Sequence, residues 1–379
     1  YQSERSPYYS WYTFLGSRVS YQCWWGFDTL PEVNELNPVW QKDIITGSFS
    51  VFSYWKQLGA MGIRLDVADE LPDSVIELMR SSLKEGNPDR VLLGEVWEDA
   101  TTKQSYGTKR QYALGKGLDT VMNYPFKNAV LGFLNGYSTA KELQNFLLSQ
   151  QLNYPQPMYY ALMNLVSSHD EPRARTVLAT GMNGEGLSRE DQAEFAPTAE
   201  QERRGDALMR LAGVFQMTVP GTPSIYYGDE CGMHGWKDPF NRQPFSVKDP
   251  ELVAFFQSIT AIRKTYPSLS RGRAAFVAPS DGVIGIARFI SDQGDAFGKE
   301  GKQELLLTLI SRSSEPVSTD VQLRSCVEGI SKEDLAWFES IQFPQARVLC
   351  GKNISVCILP DRSIQAEMPP YSFCIIQLV

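Results

Sequence analysis

Between residues 62 and 265, short apolar runs of strand length alternate with longer segments whose apolar residues recur every three or four positions. That alternation admits few folds, because repeated βα units pack as a parallel sheet with right-handed crossovers. Gly62-Ile63-Arg64-Leu65-Asp66-Val67 predicts a strand, and Pro72 opens a helix carrying Val75, Leu78, Met79 and Leu83. Gly86 and Pro88 end that helix. Val91 to Trp97 predicts a second strand, and Thr120 to Tyr124 a third. A helix is expected near Thr139, where Glu142 completes a capping box. A strand over Leu162 to Ser167, a helix over Glu200 to Met217, the run Ser224 to Tyr227 and a helix over Glu251 to Lys264 continue the pattern. It reads as a TIM-like barrel or a doubly wound sheet. After about Leu269 it changes. Val283 to Ile290, Glu304 to Ile310, Ile354 to Leu359 and Phe373 to Val379 predict strands separated by turn residues, an all-β domain of sandwich type.

Composition removes several classes. The chain has 379 residues, and 44 acidic against 36 basic residues give a net charge of −8. An acidic chain repels phosphate backbones, so nucleic acid is not an expected partner. The uncharged stretch from Leu211 to Gly228 is broken by Pro220 and Pro223, so no membrane partner is expected. The sequence as given opens on Tyr1-Gln2-Ser3 with no signal-like stretch, from which a cytoplasmic location is expected. Six dispersed cysteines form no C-x-x-C pair, and two histidines cannot build a multi-histidine metal site. Neither a P-loop nor a G-x-G-x-x-G turn is present. No cofactor and no metal are therefore expected.

Three acids stand at the ends of candidate strands. Strand periodicity puts Arg64 and Asp66 on one face, opposite Ile63, Leu65 and Val67. Glu95 shares a face with Leu93 and Trp97, and Ser167-Ser168-His169-Asp170 closes another strand. Taken singly, these could be a structural ion pair, an edge-strand charge and a turn. Together they lie where α/β enzymes place catalytic groups, at the carboxyl ends of parallel strands. Two carboxylates are the minimum for sugar transfer, one ionised and one protonated. Arg64 beside Asp66 favours the ionised form, and an apolar strand around Glu95 the protonated one.

At this point the sequence resembles the alpha-amylase family of glycoside hydrolases, especially its neopullulanase, cyclomaltodextrinase and maltogenic amylase branch. The segments are GIRLDVADE (62–70), LLGEVWEDA (92–100), MNYPF (122–126), LVSSHDEPRAR (165–175) and GTPSIYYGDECGM (221–233), with WWGFDTLPEVN (24–34) and DPFNRQPF (238–245) in support. The resemblance implies a retaining hydrolase of alpha-1,4-glucans such as maltodextrins, cyclodextrins, pullulan or starch. In it Asp66 would be the nucleophile, Glu95 the general acid/base and Asp170 a transition-state stabiliser. Arg64 would orient Asp66, and His169 would bind the sugar. Trp97, Glu98 and Tyr124 would line neighbouring subsites.

One motif of that family, D-x-x-x-N-H at its third barrel strand, does not occur here. Residues 1–40 resemble the segment between the family's third strand and third helix, and 48–60 resemble that helix. The expectation is therefore an α/β chain holding a partial (β/α)8 TIM barrel, about strands 4–8, followed by an all-β sandwich. Its parts would be a loop-domain remnant over 1–46, a partial catalytic barrel over 47–269 and the β domain over 270–379. The family's frequent calcium site, built partly from the missing region, does not transfer. A strand with its helix needs roughly 30 residues, and 61 residues precede Gly62. An open arc of strands, a fragment of a longer enzyme, and low activity with a tendency to self-associate are expected. A homo-oligomer is compatible with this reading. The competing class is a non-catalytic amylase-like protein used for glucan binding or assembly.

Overall fold

The computed structural model describes residues 3–323, 328–342 and 345–379. Cys326 lies outside the described residues, and the other five cysteines are free thiols. By the density of contacts along the chain, the protein divides into two units, Tyr1–Met122 and Asn123–Val379.

The first unit carries helix α1 (Val51–Gln57), strand β1 (Gly62–Leu65), helix α2 (Asp73–Lys84) and strands β2 (Val91–Gly94) and β3 (Thr120–Val121). The three strands form one parallel sheet in the order β1-β2-β3, with Arg64 opposite Leu93 and Gly94 opposite Val121. Helix α2 buries Val75, Ile76, Met79 and Leu83, so Ile76 takes the core position expected of Leu78. Strand β1 stops two residues early because Val67 turns into the left-handed region at φ 38°, a conformation that branched side chains resist. Strand β2 stops at Gly94, short of the expected Trp97. A Cβ at Gly94 would come within 2.3 Å of Leu118 Cδ1, so any larger residue there would have to displace that side chain.

The second unit begins with helices α3 (Tyr124–Asn135), α4 (Ala140–Asn153) and α5 (Gln156–Ala161), then strand β4 (Met163–Leu165). Helices α6 (Ala174–Thr180) and α7 (Ala199–Thr218), strand β5 (Thr222–Ser224) and helix α8 (Pro250–Thr265) follow. Strands β4 and β5 pair in parallel. Two expectations change here. The third strand ends at Val121, and Tyr124 opens a helix instead, because Asn123 caps it by accepting from the Phe126 N–H and Pro125 fits its first turn. The run Ser224 to Tyr227 is strand only to Ser224, where Thr222–Ser224 pairs with β4. The capping boxes at Thr139–Glu142 and Thr198–Gln201 start α4 and α7.

The rest of this unit is antiparallel. Strands β6 (Arg273–Ser280), β7 (Val283–Ile290), β8 (Glu304–Ser311) and β9 (Val317–Val321) precede helix α9 (Lys332–Ser340). Strands β10 (Ala346–Gly351), β11 (Ser355–Ile358), β12 (Ile364–Met368) and β13 (Ser372–Leu378) complete it. One sheet runs β6-β7-β8-β13-β10 and the other β9-β12-β11. Alternation sorts the five-stranded sheet. Ala274, Phe276, Ile284 and Ile286 join the core of α3, α4 and α7, while Ala275, Ala287 and Phe289 face the second sheet with Val321, Ile364 and Ala366. Strands β6, β9, β10 and β12 have no separate sequence signal above the turn residues around them. Among the described residues no helix is long and apolar enough to cross a membrane.

Candidate active site

The end of strand β1 delivers Arg64 and Asp66, and the end of β2 delivers Glu95. The two chains stay in register past their last strand residues, since Glu95 N donates to Leu65 O and Ala68 N to Glu95 O. One guanidinium then serves both acids. Arg64 Nη1 lies 2.6 Å from Asp66 Oδ1, and Nη2 lies 3.1 Å from Glu95 Oε2. The Asp66 side chain is 72% exposed while that of Glu95 is 4% exposed. An open carboxylate thus stands beside a sealed one, on one side of the sheet.

The apolar surroundings expected of Glu95 are not what the fold provides. Besides Arg64, the Val67 N–H donates to Glu95 Oε2 at 2.8 Å and Trp97 Nε1 donates to Oε1 at 3.1 Å. The left-handed turn at Val67 aims that backbone donor, a contact no residue pattern encodes. Trp97 therefore steadies the acid, with 40% of its surface still open. Glu98 is exposed and paired with Lys103, which also reaches Asp69 at 2.8 Å. Arg64 Nε additionally meets Met122 Sδ at 3.2 Å.

The second unit carries the other predicted residues, on the turn after β4. His169 Nε2 lies 3.1 Å from Asp170 Oδ2, and both side chains are partly open. The turn is held from behind by the buried Asn241, whose amide donates to the carbonyls of Ser168, His169 and Glu171 at 3.2, 2.9 and 2.8 Å. Arg242 donates to His169 O at 3.1 Å and lies 3.6 Å from Asp170 Oδ1. Tyr124 is buried, with its hydroxyl 3.3 Å from Ser168 Oγ, so it supports this turn and offers no open face. Below it sits a sealed ion pair. Arg173 Nη1 is 3.6 Å from Asp229 Oδ1, with both side chains almost fully buried, and Tyr226 and Tyr227 cover the guanidinium. Burial pushes the Asp229 carboxyl up to about 7, against the opposing pull of the Ser167 hydroxyl and the charge of Arg173.

Sequence reasoning does not single out Asn241, Arg242, Arg173 or Asp229 as site residues. The signal available is their place in segments already quoted: a polar pair inside the aromatic run 238–245, and charges inside apolar runs, which need partners. Among the described residues no group of three or more His, Cys, Asp or Glu side chains is arranged to hold a metal ion. Among the described residues, then, no carboxylate cluster stands ready for the family's calcium.

Carboxylates end parallel strands on an α/β framework, and an antiparallel β domain follows. The family pattern of the alpha amylase catalytic domain matches residues 9–268. The chain belongs to the alpha-amylase family. An amylopullulanase of Thermoanaerobacterium saccharolyticum is 30% identical over 378 residues, covering 93% of this chain and 28% of that protein. A cyclomaltodextrinase of a Bacillus species is 32% identical over 272 residues, covering 70% of this chain and 42% of that protein. The chain therefore spans less than half the length of either relative. Among solved structures, Ttha1563 from Thermus thermophilus superposes with a TM-score of 0.74 at 24% identity, over 99% of this chain and 72% of that one. A debranching enzyme from Nostoc punctiforme gives 0.70 at 24%, over 98% and 70%. These likenesses carry the fold: the barrel-plus-β-domain architecture of the family.

Proposed function

We propose that this chain carries the catalytic carboxylates of a retaining glycoside hydrolase acting on alpha-glucans. One observation supports the reading above others: a single guanidinium, Arg64, bridges an exposed Asp66 and a sealed Glu95 at the ends of adjacent parallel strands. In the proposed cycle Asp66 attacks the anomeric carbon as Glu95 gives its proton to the departing glycosidic oxygen. Water then enters, Glu95 takes its proton, and the glycosyl–Asp66 bond breaks. Arg64 aims Asp66 and offsets the charge of two neighbouring acids. Asp170 and His169 are proposed to hold hydroxyls of the distorted sugar, with Arg242 beside them. Trp97 and Glu98 are proposed to border the neighbouring subsites.

The finer fold reading is part of the same proposal. Five parallel strands occur among the described residues, three in the first unit and two in the second. They are proposed to supply about strands 4–8 of the family's eight. The relatives' names, amylopullulanase, cyclomaltodextrinase and debranching enzyme, support substrates with alpha-1,4 links, alpha-1,6 links or both. The competing reading is a non-catalytic glucan-binding chain; the retained acid trio Asp66, Glu95 and Asp170 favours catalysis.

The test is Glu95→Gln, which removes the transferable proton and keeps the shape. Turnover of maltodextrins should fall at least 10²-fold, the usual worth of a positioned acid, while glucosyl fluoride, whose leaving group needs no proton, should lose much less. Equal losses on both substrates would sink the acid role, and no turnover by the unaltered chain would favour the binding reading.

A further inference from the structure

One histidine of the second unit is left unused by the proposed cycle. His234 lines a cavity of about 400 Å³ together with Arg175, Glu202, Lys248 and Asp249, and 15% of its side chain is open. Its ring is held at both nitrogens. Nε2 lies 3.2 Å from Glu202 Oε2 on α7, and Nδ1 lies 3.2 Å from Thr176 Oγ1 on α6. The ring of Phe195 packs beside it, with 6.0 Å between centroids. The partners assign the tautomer. Burial opposes the ionisation of Glu202, yet Arg175 and His234 hold its carboxyl below the usual carboxylate range. A carboxylate can only accept, so Nε2 carries the proton. Nδ1 is then a lone pair, and the Thr176 hydroxyl donates to it.

The same hydroxyl accepts from Gly235 N at 2.9 Å, and Thr176 is 0% exposed. Gly235 is where the imidazole reaches the turn that bears His169 and Asp170. Its N–H is held by Thr176, and its carbonyl accepts from Arg173 N at 2.9 Å. A Cβ at Gly235 would fall 2.3 Å from Phe240 O and 2.9 Å from Asn241 Cα, so its backbone lies directly against that of residues 240 and 241. Asn241 in turn donates to the carbonyls of Ser168, His169 and Glu171. An unbroken line of contacts runs from His234 through Thr176, Gly235 and Asn241 to the His169–Asp170 turn, all within the second unit.

We propose that His234 is a positioning residue: as a neutral imidazole it fixes, through Thr176 and Gly235, where Asn241 holds His169 and Asp170; the consequence for the sugar rests on the function proposed above. Protonation undoes the arrangement. Nδ1 becomes a donor and meets a hydroxyl that already faces the Gly235 N–H, and the buried Thr176 proton loses its acceptor. The groups facing the ring decide when this happens. Helix α7 brings Glu202, and Asp206, which meets Arg175 at 4.0 Å. Helix α6 brings Arg175, with Arg173 just before it, and the segment before α8 brings Lys248 and Asp249. Phe195 adds no charge. Burial pushes the imidazole below its usual 6.5, with Glu202 opposing and the two arginines assisting. His234 therefore stays neutral near pH 7 and charges only in acid.

The experiment compares His234→Asn, His234→Leu and Thr176→Val in the full chain. The amide oxygen of the Asn variant can take the place of Nδ1 and gains no proton, the Leu variant leaves Thr176 without an acceptor, and Thr176→Val removes the hydroxyl at constant shape. Maltodextrin kinetics are followed from about pH 8 to about pH 5, the range in which a histidine titrates. At the upper end His234→Leu and Thr176→Val should raise KM and lower kcat, losing about five-fold or more in kcat/KM, the worth of one neutral hydrogen bond. His234→Asn should restore most of that loss. Towards the lower end the parent should lose activity that His234→Asn retains; Asp229, raised to about 7, is common to both chains and cancels. Hydrogen exchange at the Gly235 and Arg173 amides reads the same contacts without substrate, and should be faster in the Leu and Val variants than in the parent and the Asn variant. Unaltered exchange in both would overturn the proposal. So would parental KM and kcat in an active His234→Leu, or superimposable pH profiles for the parent and His234→Asn. A parent chain that hydrolyses nothing would count against the function proposed above and leave the exchange rates to decide whether His234 holds Gly235.

Discussion

Arg64 in the first unit and Arg173 in the second each meet a carboxylate near the end of a parallel strand, in opposite settings. Arg64 is 31% exposed and shared between two acids, one of them open to solvent. Arg173 is fully buried with Asp229 under two tyrosines. The first arrangement has room for a reactant and leaves Asp66 uncovered. The second has no room for one, so its charges can only hold structure. Desolvation separates the two uses: an exposed pair adds little to stability, whereas a half-broken buried pair is costly. The same residue types therefore serve chemistry in one place and scaffolding in the other.

The largest test exchanges the two arginines for methionine. Arg64→Met should cost about 10²-fold or more in glucan turnover, because Asp66 loses its aim and two acids face each other unneutralised. Its unfolding free energy should fall less than that of Arg173→Met, because Asp66 is open to solvent and the sealed Glu95 keeps the Val67 N–H and Trp97 donors. Arg173→Met should do the reverse in kind, lowering stability by about 3–5 kcal/mol because Asp229 is left buried and alone. Chemical denaturation and steady-state kinetics on both variants separate the two. A strongly destabilised Arg64→Met would break the distinction.

Much of the first arrangement is legible in the sequence, and little of the second is. Strand periodicity puts Arg64 and Asp66 on one face and gives Glu95 a strand end. What it misses is the turn at Val67, since a branched residue at positive φ has no local signature, and with it the backbone donor to Glu95. The apolar run at Tyr124 suggests strand, although Asn123 and Pro125 are a helix cap and a first-turn proline. Arg173 and Asp229 lie 56 positions apart in the chain, and only the fold brings them together. Long-range polar pairing carries no period, which is why Asn241 and its three carbonyls are also invisible.

A middle-sized effect concerns pH. The Asp229 carboxyl is raised by burial from 3.8 to about 7 in the folded protein. The folded state then holds a proton that the unfolded chain has released, so stability falls as pH rises from about 4 towards 7 and levels off above it. Asp229→Asn stays neutral throughout, so the gap between the parent's unfolding free energy and the variant's should shift against the parent by a few kcal/mol across that window. Parallel curves for parent and variant from pH 4 to 8 would mean that Arg173 keeps Asp229 ionised, and the pair would resemble Arg64–Asp66 more than the contrast allows.

The smallest effect tests whether the turn bearing His169 and Asp170 is scaffold or site. Asn241 touches neither side chain; it holds the carbonyls of residues 168, 169 and 171. Asn241→Ala removes that donor and leaves the carbonyls to find water or go unpaired. A loss of about 1–2 kcal/mol in stability is expected, the worth of one or two net hydrogen bonds. If the turn only packs, nothing else should change. If Asp170 and His169 grip the sugar, a looser turn should raise KM several-fold and lower kcat as the grip weakens in the transition state. Asn241→Leu is the control: it keeps most of the volume and loses the donor, so it should show the same kinetic loss. Unchanged KM and kcat in both variants, with the stability loss present, would mean that the turn held by Asn241 is scaffold and does not present His169 and Asp170 to the sugar.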